Sequence, residues 1–536
     1  MADTHTVVIG SVRKALPGAR VLGRANAHTT LEVTLKLRRK KKLPELQGHP
    51  AKIMTRKALA DTYGASQGDL DKVVQVLGKL GLKSVHADTA SRTVRLSGTV
   101  AAMESAFLVK LFNYSHPNGN YRGRVGSVHV PAELKDIVEG VFGLDNRRVA
   151  KRRRQPVSDT SHARALTKVP ASWYTPQQLA QHYNYPAGDG TGQTVGILEF
   201  GGGFFEQDLT KFCKLAGVSV PQVQAISTDG TSTSARDGAE GEVMLDVEVV
   251  AGVCPKALIV LYFADFTEQG WITALDAASQ DQTNDPGVIS VSWGYAEDAD
   301  IWTDQAMTQV NDTLQEMALL GITVCVAAGD DGSSDAIGDG LAHVDFPGSS
   351  PFVLSVGGTT IPSKGGNQPD IAWKEGDGLR ADNGGSTGGG VSAVFDRPAW
   401  QSSLTIQPVN PGAKVGRIVP DIAANADWDA SPYLLVVDGG AQPNGGTSAA
   451  TPLCAALVTL INQQRGAGNR IGYLSPILYQ ASGGSTIGAL GCTDVQSGDN
   501  ITDSIGGYQA GPGYDAVSGW GTPDGQKLLA SLAASA

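Results

Sequence analysis

The chain is short of cysteine, of long apolar runs and of histidine in its second half. Its five cysteines, Cys213, Cys254, Cys325, Cys454 and Cys492, are odd in number and none lies close to another. That argues against a disulfide framework and against a zinc site. No stretch reaches the roughly 18 apolar residues that a membrane-spanning helix needs, so no membrane partner is expected. The opening residues, MADTHTVVIGSVRKAL, lack a long apolar core and a cleavage-site pattern, which argues against a standard secretory signal. Of nine histidines only His182 and His343 lie beyond residue 170. The stretch FGGGFFEQDL lacks the spacing of a phosphate-binding loop and reads as a turn.

Charge and glycine are plentiful but unevenly spread. Residues 1–168 hold 30 Lys and Arg against 13 Asp and Glu, a formal +17, and the remainder holds 13 against 40, a formal −27. A basic segment that docks on its own acidic body accounts for this split without an outside partner. Nucleic acid is not expected, because no aromatic-bearing nucleic-acid motif accompanies the basic residues. At 536 residues the chain exceeds a single core, so at least two domains are expected.

The N-terminal third alternates short strands and helices. TTLEVTLKLR and SRTVRLSGTV have strand periodicity, and DLDKVVQVLGKLGL and VAAMESAFLVKLF have helical spacing. They predict a small α+β unit over residues 1–150. Residues 151–170 are basic, polar and Pro-containing, and read as an exposed linker. From 171 onward, TVGILEF, ALIVLYFA, GVISVSWG and ITVCVAAG are apolar, β-rich runs separated by helical stretches. This alternation predicts an α/β fold with a buried parallel sheet and helices on both faces. In such sheets sites form beyond the C-terminal strand ends, where Glu199, Trp293 and Asp330 fall.

The stretch NGGTSAATPLCAAL places Ser448 after a Gly-Gly-Thr turn and at the start of an apolar helix. A serine needs a base to become a nucleophile. Neither late histidine ends a buried strand or opens an apolar helix. In DGAEGEVMLDVEVVAG, Glu242 and Asp246 are four apart and share one helix face, among apolar residues that make a lone charge costly. Burial and a neighbouring carboxylate raise one member's pKa, so the pair is a candidate base. Asp330, in AAGDDGSS, is a candidate oxyanion donor only when protonated, which points to an acidic medium. Asp331 beside it reads as solvent-facing.

Together GGTSAATP, GEVMLDVE, SVSWG, AAGDDGSS and GPGYDAVSGWGTP resemble the sedolisin family of serine-carboxyl peptidases, and within it the kumamolisin group. The resemblance spans essentially the whole chain. It implies a subtilisin-like catalytic domain over 171–536, preceded by a ferredoxin-like α+β pro-domain that acts as an intramolecular inhibitor. A processing bond is expected between Arg154 and Ala171. The resemblance implies an endopeptidase acting on protein or peptide substrates at acidic pH, monomeric when mature and extracellular. Position by position, Ser448 resembles the nucleophile, Glu242 the base, Asp246 its supporting acid and Asp330 the oxyanion aspartate. Glu199 and Trp293 resemble an outer hydrogen-bonding pair. Where the family has AAGDSG this chain has AAGDDG, so an extra acid adjoins Asp330.

Asp494, Asp499 and Asp515 lie among glycines, a setting that suits either calcium or plain turns. The resemblance implies one structural Ca2+ held by Asp494 and Asp515 with carbonyls of Val495, Gly511 and Gly513, and leaves Asp499 out. Two rivals stand beside the peptidase. A histidine-based subtilisin relative needs an H-G-T element that is absent. An inactive subtilisin-fold binding or scaffold protein would not need all four catalytic residue types.

Overall fold

The computed structural model describes residues 4–117, 119–149, 151–152, 166, 168–365, 368–382 and 384–534. Its N-terminal unit is built on β1 (Thr30–Leu37), α1 (Arg56–Tyr63), α2 (Gln67–Gly78), β2 (Lys83–Asp88), β3 (Thr93–Thr99), α3 (Val100–Phe107) and β4 (Val138–Phe142). The four strands form an antiparallel sheet in the order β2–β3–β1–β4. The helices start where hydroxyl caps stand. Thr55, Ser66 and Thr99 accept from the backbone N–H of Ala58, Asp69 and Ala102, each satisfying a donor that the first turn leaves open. The apolar pattern of VAAMESAFLVKLF predicts a longer helix than is found. Leu108, at φ 48° in the left-handed region, ends α3. Val33, Leu35, Leu77, Leu96, Met103 and Phe107 belong to the unit's own apolar core.

Residues 151–152 form a short strand, β5. The larger unit then runs β6 (Thr194–Glu199), β7 (Gln222–Ser227), α4 (Glu240–Val253), β8 (Leu258–Phe263), α5 (Glu268–Gln280), β9 (Val288–Val291), β10 (Trp293–Ala296), α6 (Asp304–Leu319), β11 (Thr323–Ala327), β12 (Leu354–Thr360), β13 (Ile371–Ala372), β14 (Ile422–Asn425), the hairpin β15 (Tyr433–Val437) and β16 (Gly440–Asn444), and α7 (Thr447–Arg465). The main sheet has the order β7–β8–β6–β9–β11–β12–β13, with β14 also paired to β12. Every pair is parallel except β12–β13.

The sheet is covered on both faces. Val195 and Ile197 of β6 pack with α4 and α7, while Leu198 joins the cluster that holds α5 and α6. This is the alternation a strand imposes. β12 reads LSVGGTT, and its glycines admit close neighbours. A Cβ on Gly358 would lie 2.7 Å from the Ala426 Cβ and 2.9 Å from a ring carbon of Trp373.

The basic unit docks on α5 and α6 through ion pairs. Lys36 Nζ lies 2.9 Å from both Asp276 carboxylate oxygens, and Arg13 lies 2.8 Å from Glu268. The Lys36 and Arg13 side chains are 1% and 2% exposed. Arg39 pairs with Glu316, and Arg92 donates to Gln309 at 3.0 Å. The linker expected over 151–170 does not begin as free coil. β5 pairs antiparallel with β10, Arg152 opposite Trp293 and Lys151 opposite Gly294. Residues 153–165 and 167, and with them most of the expected processing region, lie outside the described residues.

Candidate active site

Helix α4 carries its acids inside the protein. It is buried from Gly241 to Val253, because it packs against the sheet, α7 and the β15–β16 hairpin. Glu242 is 1% exposed and Asp246 0%. Their four-residue spacing puts them on one face. Glu248, two residues beyond Asp246, is buried too and accepts the Val436 N–H at 2.8 Å. Burial pushes its carboxyl well above the usual range. It serves the hairpin that leads into α7.

Ser448 sits in the first turn of α7, fully buried. The approach is made by Gly446 at φ 92°, a conformation that suits glycine. The Gly446 N–H is tied to the Ala426 carbonyl at 2.6 Å. Ser448 Oγ has no hydrogen-bond partner among the described residues. Ser292, which the sequence reading passed over, links the two sides of the site. Its Oγ donates to Asp246 Oδ1 at 2.8 Å and lies 3.3 Å from the Ser448 carbonyl.

Glu199 ends β6 and is fully buried, and Trp293 Nε1 donates to its Oε2 at 3.1 Å. Burial, then the Glu242 charge, hold the Glu199 carboxyl well above its ordinary value, against the Trp293 hydrogen bond. Burial, then Glu199 and Glu242, do the same to Asp246, against the Ser292 hydroxyl. Like charges crowded in a dry pocket cannot all ionise together. Glu199 and Asp246 therefore favour the protonated form, and each feels the Glu242 charge.

Asp330 follows β11 and is 0% exposed. Its Oδ1 accepts the Thr447 N–H at 2.8 Å and the Thr447 hydroxyl at 2.6 Å, so the residue next to Ser448 holds it. Thr447 was not singled out from the sequence, although it lies inside the quoted GGTSAATP. The histidines are engaged elsewhere. His182 Nε2 lies 3.1 Å from Asp370. His343 contacts Asp298 and Asp339 at 2.6 and 3.0 Å. Burial opposes the His343 charge, but these carboxylates raise its pKa to about 9.

At the C-terminal end one loop joins Asp494 and Asp515. Gly513 N–H donates to Asp494 Oδ2 at 2.9 Å, and Gly511 N–H to Asp515 Oδ2 at 3.0 Å. Asp494 Oδ1 has no hydrogen-bond partner among the described residues. Val495 is 1% exposed beside it. Asp499 instead binds Lys374 at 2.7 Å. All five cysteines are buried and free.

Residues 17–147 match the pro-kumamolisin activation domain, and residues 226–488 match the subtilase family. Kumamolisin of Bacillus sp. (strain MN-32) is 40% identical over 100% of this chain and 97% of its own length. The chain belongs to the sedolisin family of serine-carboxyl peptidases. This sedolisin-family chain carries a pro-domain ahead of a subtilisin-like domain. Among solved structures, Pseudomonas sedolisin, a serine-carboxyl proteinase complexed with two molecules of pseudo-iodotyrostatin, is 30% identical with a TM-score of 0.58. It covers 68% of this chain and 99% of its own. Tripeptidyl-peptidase sed5 of Aspergillus fumigatus is 28% identical over 98% of this chain and 96% of its own length.

Proposed function

We propose that this sedolisin-family zymogen matures into an acid-acting endopeptidase with Ser448 as nucleophile. Ser448 Oγ attacks the scissile carbonyl carbon and passes its proton to Glu242. Asp246, kept protonated by burial, hydrogen-bonds Glu242 and steadies the charge. Protonated Asp330 donates to the oxyanion. Glu242 returns the proton to the leaving amine, the amine departs, and water hydrolyses the acyl-enzyme by the reverse proton path. Glu199 and Trp293 extend the carboxyl chain. The observation that carries this reading is the placement of a serine hydroxyl without a hydrogen-bond partner among the described residues on a helix packed against the one that bears the buried Glu242 and Asp246, with Thr447 joining Ser448 to Asp330. Incubation with a denatured protein at about pH 4, near the carboxylate reference value, tests it. Internal cleavage by the matured chain is expected. An intact substrate across acidic pH would favour a scaffold role.

The pro-domain is the proposed intramolecular inhibitor. Removing one partner of a buried ion pair leaves the other charge uncompensated, at about 3–5 kcal/mol. Asp276→Ala strands the Lys36 ammonium in the interface. Maturation of the full chain at pH 6, followed on a gel, is therefore expected to quicken at least about tenfold. Maturation as slow as that of the wild type would mean that this pair does not hold the pro-domain.

Calcium is the proposed structural ion at Asp494 and Asp515. The half-buried, unpartnered Asp494 Oδ1 and the carbonyls of Val495, Gly511 and Gly513 fit a hard, oxygen-seeking cation. Bound there, calcium would neutralise two carboxylates and tie the 511–515 loop to Asp494. Chelation is expected to lower the thermal midpoint of the mature enzyme, and Asp515→Ala to lower it without chelator. Midpoints unchanged in both experiments would rule the ion out at this place.

A further inference from the structure

The second acid of AAGDDGSS does not face solvent. Asp331 is 3% exposed. Its carboxylate takes the Arg380 backbone N–H and Nε, each at 2.9 Å, and an Nη2 contact as well. Arg380 comes from the helical turn Arg380–Asp382, and its side chain is 14% exposed. The same segment is stitched to the oxyanion loop by backbone. Ser386 N–H donates to the Asp330 carbonyl at 3.0 Å, and Gly388 N–H to the Gly329 carbonyl at 2.8 Å. Thr502 Oγ1 closes the far side on the Asp331 carbonyl at 2.9 Å.

The charges around Asp330 come from several elements. Asp331 and Asp335 stand on its own loop, and Asp345 lies under Gly329, where a Cβ would approach its Oδ2 to 2.6 Å. On the far side of the site α4 brings Glu242 and Asp246, and β6 brings Glu199. From α7 come only the hydroxyls of Thr447 and Ser448. Among these residues Arg380 is the one cation. Burial works against its charge, yet Asp331, and after it Asp330 and Asp335, hold the guanidinium firmly protonated. Arg380 thus contacts Asp331 and feels the Asp330 charge behind it.

We propose that Asp331 and Arg380 are positioning residues for the reaction. Their ion pair clamps the loop that carries Asp330 and balances the charge beside it, which sets the upper pH limit of activity. The proposal rests on the reading of Asp330 as an oxyanion donor that works only while protonated. An unbalanced cation nearby favours the ionised carboxyl, and an unbalanced anion favours the protonated one.

The test is the pH profile of kcat/KM for the matured enzyme on a peptide substrate. Asp331→Asn leaves Arg380 unbalanced, and the upper limb is expected to move down by about one pH unit. Arg380→Gln leaves Asp331 unbalanced, and the limb is expected to move up by a similar amount. The double variant Asp331→Asn/Arg380→Gln should return the limb close to the wild-type position. Arg380→Lys, which keeps the charge but not the fork, should lower the rate and leave the limb in place; it serves also if a single variant fails to fold. Losses uniform across pH, with no opposed shifts, or a limb displaced by Arg380→Lys, would overturn the proposal. Asp330→Ala separates the two layers. Wild-type rates in that variant would sink the reading of Asp330 itself, whereas an inactive Asp330→Ala with unshifted pair variants would sink the pair alone.

Discussion

Ser448→Ala is expected to yield a full-length chain that neither cleaves protein nor processes itself. The hydroxyl oxygen is the only heavy atom removed. It is fully buried and makes no hydrogen bond among the described residues, so its loss leaves no partner unsatisfied. The thermal midpoint should therefore stay within a few degrees of wild type, and the effect falls on chemistry alone. Members of such a catalytic unit act together, and removing the nucleophile costs about as much as removing all of them, on the order of a million-fold in kcat. The check is a gel of purified protein held at acidic pH, with a melting curve beside it. Self-maturation of the purified variant would show that another residue attacks the peptide bond.

Glu242→Gln and Asp246→Asn are each expected to cut the rate by orders of magnitude, with the shape of the helix kept. Both replacements preserve volume, and asparagine retains an oxygen for the Ser292 hydroxyl. What they remove is the capacity to move a proton. His182→Ala and His343→Ala should hold the rate per folded molecule within a few-fold. His343→Ala should lower the thermal midpoint, since it strands Asp298 and Asp339. Because the folded-state pKa of His343 is raised to about 9, its contribution is whole below about pH 6.5 and fades as pH climbs toward 9. The carboxyls of Glu199, raised by burial and then by the Glu242 charge, and of Asp246, raised by burial and then by the charges of Glu199 and Glu242, behave alike in sign. Their contribution is complete below the ordinary carboxylate range and is lost as pH rises. Stability of the site is thus expected to be greatest in acid and to decline toward neutrality. A collapse of activity on losing either histidine would restore a histidine-based mechanism.

The readable part of the fold was the part written in local periodicity. The apolar runs ending at Glu199, Val291 and Ala327 stand in the sheet where their composition predicts, since a strand buried on both faces has no polar residues to break the run. β12 and β14 were not legible in this way. LSVGGTT is interrupted by glycines whose role is to let Trp373 and Ala426 approach, and a strand propensity scale counts those glycines against it. α1 was missed because only Leu59 of its eight residues is buried, which is too little for a periodic signal. Glu248 carries no local signal, because its partner, the Val436 N–H, is 188 residues away. The hairpin that covers it made it a buried anchor.

The sequence by itself determined which chemistry is present and in what order along the chain: the serine at a helix start, the i,i+4 acids, the aspartate after a buried strand, the basic third ahead of an acidic body. The serine, the paired acids and the aspartate are each marked by a few neighbouring residues, inside the range of one helical turn or one strand end, and the charge split is a matter of composition. Only the tertiary structure decided the partners. Ser292 meets Asp246 across 46 residues, Thr447 meets Asp330 across 117, and Asp331 finds Arg380 across 49. It also decided that β5 lies along Trp293 and Gly294, where a reading of composition sees only an exposed linker. Hydroxyls, arginines and polar segments are common, and each can be satisfied by water or by many partners. Packing of the sheet against its helices brings one particular pair within 3 Å and removes the water, and that choice is not encoded in any short stretch.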